Sequence, residues 1–343
     1  MAERLNKERV DYIDFIRGIG IFLMVCAHIP FSDNFVHYVH AFHMPLFFFV
    51  SGALLKPGRG TAALLRRTKK LLVPYISFSA AAYLVWFLYK FAHGLRETSE
   101  FLLPLKAILW NNSSDDMPIA GSLWFLTAMI ILQAVVFFLE KIHYKTVKCF
   151  IIVILLCFGT CETIILPFRL PFSAGAACVG LFFFYAGKVF MKYWCEKMKD
   201  RVTWKSVILC LILMFIMVFP IMKNGLLNMR TGSYGLIPLA VFDAVISLIL
   251  IWVLAYKTTA ALKKVKIGEL PVKYIRKMGE YSIIYLCLNE LVIFFCRSGL
   301  TKIVPDISRY MIAIVSFVVL FFATLLITHT RLSCFVGLKP IKF

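Results

Sequence analysis

Ten long apolar runs, at residues 13–32, 41–55, 71–92, 120–139, 147–168, 172–190, 204–222, 235–256, 282–297 and 310–329, constrain this chain more than any other feature. A helix needs about 20 apolar residues to cross a hydrocarbon core about 30 Å thick, and eight of these runs approach or reach that length, the second and ninth being short. Hydrophobic residues make up 61% of the chain and charged ones 16%. With a mean hydropathy of +0.84, that composition excludes a soluble globular protein. The expectation is an all-α, polytopic transmembrane bundle of about ten helices, forming a single membrane domain over residues 1–343. The first run holds Arg17 and is followed by no small-residue cleavage site, so it reads as a retained helix rather than a signal peptide.

Basic residues orient the chain. If both termini are cytoplasmic, the inner segments hold 28 of the 38 Lys and Arg. The outer segments hold only Arg96, Lys106, Arg169, Lys223, Arg230, Arg297, Lys302 and Arg309. This asymmetry is the one that positive cytoplasmic loops produce. It also accounts for the net charge of +20 through contact with anionic lipid headgroups, with no need for nucleic acid. The cluster Arg66, Arg67, Lys69 and Lys70 serves topology in the same way, or holds a phosphate-bearing ligand at the inner face.

Within the first run, Arg17 and His28 lie eleven residues apart. At 100° per residue they fall within about 20° on one helical face, separated by about 16 Å along the axis. An unpaired ionisable group at membrane depth costs at least about 2.5 to 3.5 kcal/mol, which makes such a stripe a candidate site. The plainer reading pairs Arg17 with Asp14 one turn earlier and leaves His28 at the opposite interface. His37, His40 and His43 follow, but neither a His-Glu-x-x-His motif nor converging carboxylates accompany them, so no metal site is expected. The ten cysteines contain no Cys-x-x-Cys pair and read as small buried hydrophobes.

Other polar residues fall at membrane depth: Lys90, Glu162, Asp243, Asn289 and Glu290. Glu162 and Glu290 either face a central cavity or pair with a donor on a neighbouring helix. Trp124 opens the fourth run, as an aromatic anchor or as a ligand-stacking surface. Residues 93–120 form the longest external stretch, polar enough to receive an acceptor, although solvated loops carry such residues anyway. The Gly/Asn-rich segment 223–235 offers donors suited to a sugar or makes a plain turn. No nucleotide-binding glycine motif, repeat or second domain is evident.

Several segments together resemble a known family. They are Tyr12-Ile-Asp14-Phe-Ile-Arg17-Gly-Ile-Gly-Ile with His28 beyond it, and His43-Met-Pro45-Leu-Phe-Phe-Phe-Val-Ser51-Gly52. Arg66 and Arg67, Leu-Leu-Val-Pro74-Tyr75 and Gly121-Ser122-Leu-Trp124-Phe-Leu continue the likeness, and Gly279-Glu-Tyr-Ser282-Ile-Ile-Tyr285-Leu extends it more faintly. The chain resembles the acyltransferase-3 family of bacterial membrane acyltransferases, particularly the branch related to fucose 4-O-acetylase. That resemblance implies a multi-pass enzyme of the bacterial inner membrane. It would take acetyl from cytosolic acetyl-CoA, a substrate and not a resident cofactor, and place it on a glycan or lipid-linked sugar hydroxyl. The family's Arg-x10-His pair maps onto Arg17 and His28. Many relatives carry a late histidine roughly where this chain has Asn289.

The residues suit that chemistry. A hydroxyl attacking a thioester must lose its proton, and His28 is the side chain best matched to take it. His28 could instead carry the acetyl group on nitrogen. Arg17, permanently charged, would orient the donor or hold Asp14, and Arg66, Arg67 and Lys70 would take the nucleotide end of CoA. His43, Ser51, Trp124, Glu162 and Asn289 are the candidate acceptor contacts. A glycolipid transporter or flippase is the competing class, with the intramembrane Arg, His and Glu side chains as its path.

Overall fold

The computed structural model describes residues 2–29, 31–55, 60–94, 97–117, 119–262 and 266–338. Among the described residues thirteen α-helices follow one another and no β-strand occurs. They are α1 (Ala2–Ala27), α2 (Asp33–His40), α3 (His43–Ala53), α4 (Thr61–Ala92), α5 (Thr98–Leu109), α6 (Trp124–Leu139), α7 (Lys145–Ile165), α8 (Ala174–Tyr193), α9 (Trp204–Lys223), α10 (Ile237–Leu262), α11 (Lys266–Glu280), α12 (Ser282–Ile303) and α13 (Arg309–His329).

Eight of them are long and apolar enough to span a membrane: α4, α6 to α10, α12 and α13. These coincide with the last eight of the ten apolar runs, so the chain is a multi-pass helical membrane protein. The first two runs depart from expectation. Asp11, Asp14 and Arg17 interrupt the apolar length of α1. The second run yields α3, an 11-residue helix only about 16 Å long, half of a hydrocarbon core. Its residues His43 to Val50, Gly52 and Ala53 are all buried, so α3 is an internal helix, apolar on every side because protein surrounds it.

The chain divides into two compact units. The first comprises residues 1–56, 182–229 and 233–282, the second 57–181, 230–232 and 283–343. Close backbone approach organises the first unit. A Cβ on Gly52 of α3 would sit 1.7 Å from the Phe184 carbonyl oxygen of α8, and one on Gly187 of α8 would sit 2.0 Å from that of Phe49. Between α1 and α11, Gly18 and Gly279 do the same against Ile275 and Asp14. Without a hydrophobic drive between helices in lipid, such small-residue contacts are what let them associate closely. Beside them Phe49, Phe190, Trp194 and Trp252 interlock, several edge to face.

In the second unit α4 packs against α6, and a short helical turn, Arg331–Val336, returns to α4. That turn ends at Gly337, whose left-handed φ of 68° suits glycine.

Candidate functional site

The first unit carries a histidine cluster. His28 stands one residue past the end of α1 and is exposed. Its Nδ1 donates to the Met24 carbonyl at 2.8 Å. On α2 the Nδ1 of His40 bonds the Val36 carbonyl at 2.8 Å, and on α3 that of His43 bonds the Val39 carbonyl at 2.9 Å. A carbonyl can only accept, so in each ring the proton sits on Nδ1 and Nε2 keeps the basic lone pair. The rings of His40 and His43 meet edge to face, centroids 4.8 Å apart. His28 lies close enough to oppose protonation of both, which brings the sequence-predicted His28 and His43 into one cluster.

Burial pushes the His40 imidazole below its ordinary value, and the neighbouring His28 and His37 push in the same direction. A histidine that resists protonation in the folded state contributes stability above its unfolded value of about 6.5, and that contribution is lost as pH falls through this value. His40→Gln is therefore expected to flatten the fall in thermal midpoint between pH 7 and 5 for the protein in lipid nanodiscs. Parallel curves for parent and variant would show that His40 takes no part in it.

About three turns before His28, Arg17 Nη1 lies 3.3 Å from Asp14 Oδ1, and Arg276 of α11 reaches Asp11 at 3.0 Å. The plain pairing of Arg17 with Asp14 is thus realised. Ser51 is half-buried on α3. Asp243 of α10 is 1% exposed, and neither carboxyl oxygen has a hydrogen-bond partner among the described residues.

The second unit carries a separate polar network. Glu162, 1% exposed, pairs with Arg169 at 3.1 Å and accepts the Leu170 N–H at 2.6 Å. Its donor comes from the turn after its own helix, not from a neighbouring helix. Gly175 and Gly232 leave room for this pair, since a Cβ on either would collide with Glu162 or Arg169. Arg169 then donates to the Arg230 carbonyl, and Arg230 donates to the Ser114 carbonyl at 2.6 Å and to Asp115 at 3.1 Å. Glu290 accepts the N–H groups of Gly121 and Ser122, both at 2.7 Å, at the start of α6. Carboxylates at a helix N-terminus satisfy orphan donors and meet the positive end of its dipole.

Asn289, fully buried, donates through Nδ2 to Ser122 Oγ at 3.2 Å and to the Leu286 carbonyl at 2.6 Å. Trp124 is only 4% exposed, so the interfacial-anchor reading fails: the ring is held inside the unit. On α4, Arg66 and Lys70 are exposed and Arg67 half-buried. Sequence reasoning had Arg230 and Asn112 only as members of polar loops, and it passed over Ser173. The backbone nearby is unusual, since Ile119, Phe172 and Ser173 adopt left-handed φ without being glycine. Such residues cost of order 1 to 3 kcal/mol each and persist where surrounding contacts over-determine them. Here the Phe172 N–H bonds the Trp110 carbonyl and Ser173 Oγ donates to Asn112 Oδ1.

Among the described residues no three His, Cys, Asp or Glu side chains converge as metal ligands. The model of an acyltransferase domain matches residues 10–329, nearly the whole chain, and the protein belongs to the acyltransferase-3 family. No curated protein and no solved structure matches it.

Proposed function

We propose that this membrane acyltransferase moves an acetyl group from cytosolic acetyl-CoA to a hydroxyl of a cell-envelope or extracellular polysaccharide sugar, free or lipid-linked. The likeness of residues 9–75 to the fucose 4-O-acetylase branch supports acetyl as donor group and sugar as acceptor. The chain works as one domain in a bacterial inner membrane with both termini cytoplasmic, as the distribution of Lys and Arg argues.

The observation that carries the reading is the His28 tautomer. With Nδ1–H committed to the Met24 carbonyl, Nε2 is the atom that takes a proton. In the direct route the acceptor oxygen bonds to the thioester carbonyl carbon, the C–S bond breaks, and the hydroxyl proton passes through Nε2 to the departing thiolate. In the two-step route Nε2 itself bonds the acetyl carbon as thiolate leaves, and the acceptor hydroxyl later displaces the imidazole. Arg17 keeps Asp14 in place. Arg66, Arg67 and Lys70 supply positive charge for the CoA phosphates, and the candidate acceptor contacts are His43 and Ser51 in the first unit and, by themselves, Trp124, Glu162 and Asn289 in the second.

Purified protein in lipid is expected to release free thiol from acetyl-CoA, slowly without acceptor and faster with it. Absence of thiol release and of acetyl-CoA binding would sink the reading. The transporter alternative would then lead, with the intramembrane Arg, His and Glu side chains as its path.

A further inference from the structure

Five cations crowd the connection between α8 and α9: Lys192, Lys197, Lys199, Arg201 and Lys205. Glu196 and Asp200 lie among them, yet none of the five has an ion-pair partner among the described residues. Elsewhere in the segments read as cytoplasmic the pattern differs. Arg276 pairs with Asp11, Lys148 with Glu140 and Lys277 with Glu280. The α4 cations meet the CoA phosphates in the proposed reaction, which leaves this second unpaired cluster without a role.

Its depth follows from chain length. The apolar helical stretch that ends here runs Pro171–Arg201, and the next begins at Trp204. From Pro171, about 20 residues cover a hydrocarbon core about 30 Å thick, so the chain reaches headgroup level near residue 191. Only Val202 and Thr203 separate the two stretches, too short a link to carry the cations away from the surface. The turn is also fixed in place. Helix α8 widens into a π-helical turn, Trp194–Met198, and then tightens into a 3-10 turn, Lys199–Arg201. Wide turns of this kind are rare and concentrate at functional sites. Trp194, fully buried, stacks on Phe190 and meets Tyr256 edge to face. Lys257 of α10 donates to the Val202 carbonyl at 2.9 Å, and Thr203 caps α9 through reciprocal hydrogen bonds with Ser206.

The outward side of the turn is both basic and aromatic. Lys192, Lys197, Arg201 and Lys205 are exposed and Lys199 is half-buried, with Tyr193 and Trp204 exposed between them. Lys197 Nζ lies 5.7 Å from the centroid of the Tyr193 ring. Interfacial Trp and Tyr settle at headgroup level, and Lys and Arg clustered beside a membrane helix attract anionic lipid. Topology alone explains cations on this side, but it requires neither the aromatic neighbours nor a turn tied to the core. We infer that the α8–α9 turn is a binding site for an anionic phospholipid of the inner leaflet, its phosphate met by these cations and its glycerol backbone lying against Trp204. The site stands apart from the acyl-transfer chemistry.

The test reads Trp204. Full-length protein is placed in bilayers of phosphatidylcholine with a small fraction of phosphatidylglycerol, one of the two lipids carrying brominated chains that quench tryptophan on contact. Subtracting the Trp204→Phe variant isolates the Trp204 signal. Phosphatidylglycerol is expected to be enriched there at least about tenfold over its bulk fraction. Arg201→Gln should lower the enrichment about fivefold, and Lys199→Gln, Arg201→Gln and Lys205→Gln together should bring it to parity. Lys141→Gln, Lys145→Gln and Lys148→Gln together remove the same charge from the α6–α7 connection and should leave the Trp204 value unchanged. No enrichment in the parent, an enrichment that survives the triple variant at 199–205, or an equal fall in the control would overturn the site. Displacement of the lipid by CoA would overturn it as well and assign the cluster to a nucleotide. If the triple variant unfolds, Arg201→Gln decides on its own, since that exposed side chain has no ion-pair partner to lose.

Discussion

Replacing His28 with alanine is expected to lower thiol release from acetyl-CoA by about 100- to 10,000-fold, the range that a positioned general base supplies. The ring stands past the end of α1, exposed, with its proton held on Nδ1 by the Met24 carbonyl. Removing it deletes the proton acceptor without opening a cavity in the core, so the folded yield should hold. His28→Asn retains a side-chain donor near the Nδ1 position for Met24 but no basic nitrogen, and should be as slow as the alanine variant. If acetyl-enzyme accumulates in the parent and vanishes in both variants, the imidazole carries the acyl group. Activity within a few-fold of the parent in both variants would move the base elsewhere, with His40 and His43 the next to replace.

The largest effect on folding is expected from Gly52→Ala. Its new methyl carbon would stand 1.7 Å from the Phe184 carbonyl oxygen, a fixed backbone atom that cannot rotate away. Both helices are buried at the contact, so relief requires α3 and α8 to separate. Overpacking of cores costs 1 to 3 kcal/mol and occasionally more, and a backbone collision belongs at about 3 kcal/mol or above. Little properly folded protein should survive size-exclusion chromatography in detergent. The control is Gly299→Ala in α12, where no atom lies within 4 Å of the added carbon. A helical glycine there should tolerate the change or gain up to about 1 kcal/mol. Equal thermal midpoints for the two variants would show that the α3–α8 approach is dispensable.

Hydropathy located eight membrane helices because a span must be about 20 apolar residues long, and that requirement is written locally in the chain. Two further runs lie outside those eight: Asp14 and Arg17 interrupt the first, within α1, and the second yields the 11-residue, largely buried α3. Helix α5 escaped hydropathy altogether. Its twelve residues are too few to span, and it is tertiary contacts, the Tyr75 and Tyr83 hydroxyls and the Phe87 and Phe101 rings, that show it lying along α4.

Among candidate residues, the sequence by itself determined the chemistry at hand: a basic imidazole at His28, a permanent cation at Arg17 one turn from Asp14, and carboxylates at 162 and 290 within apolar runs. Those follow from side-chain type and helical spacing alone. Tertiary structure decided the partners. It joined Glu162 to Arg169, set Glu290 on the N–H groups of Gly121 and Ser122, buried Trp124, and left Asn289 Oδ1 and Asp243 without partners among the described residues. The reason is range: hydropathy and helical periodicity are properties of about twenty consecutive residues. A hydrogen bond between positions 122 and 289 depends on where the intervening helices return the chain, and no local pattern encodes that.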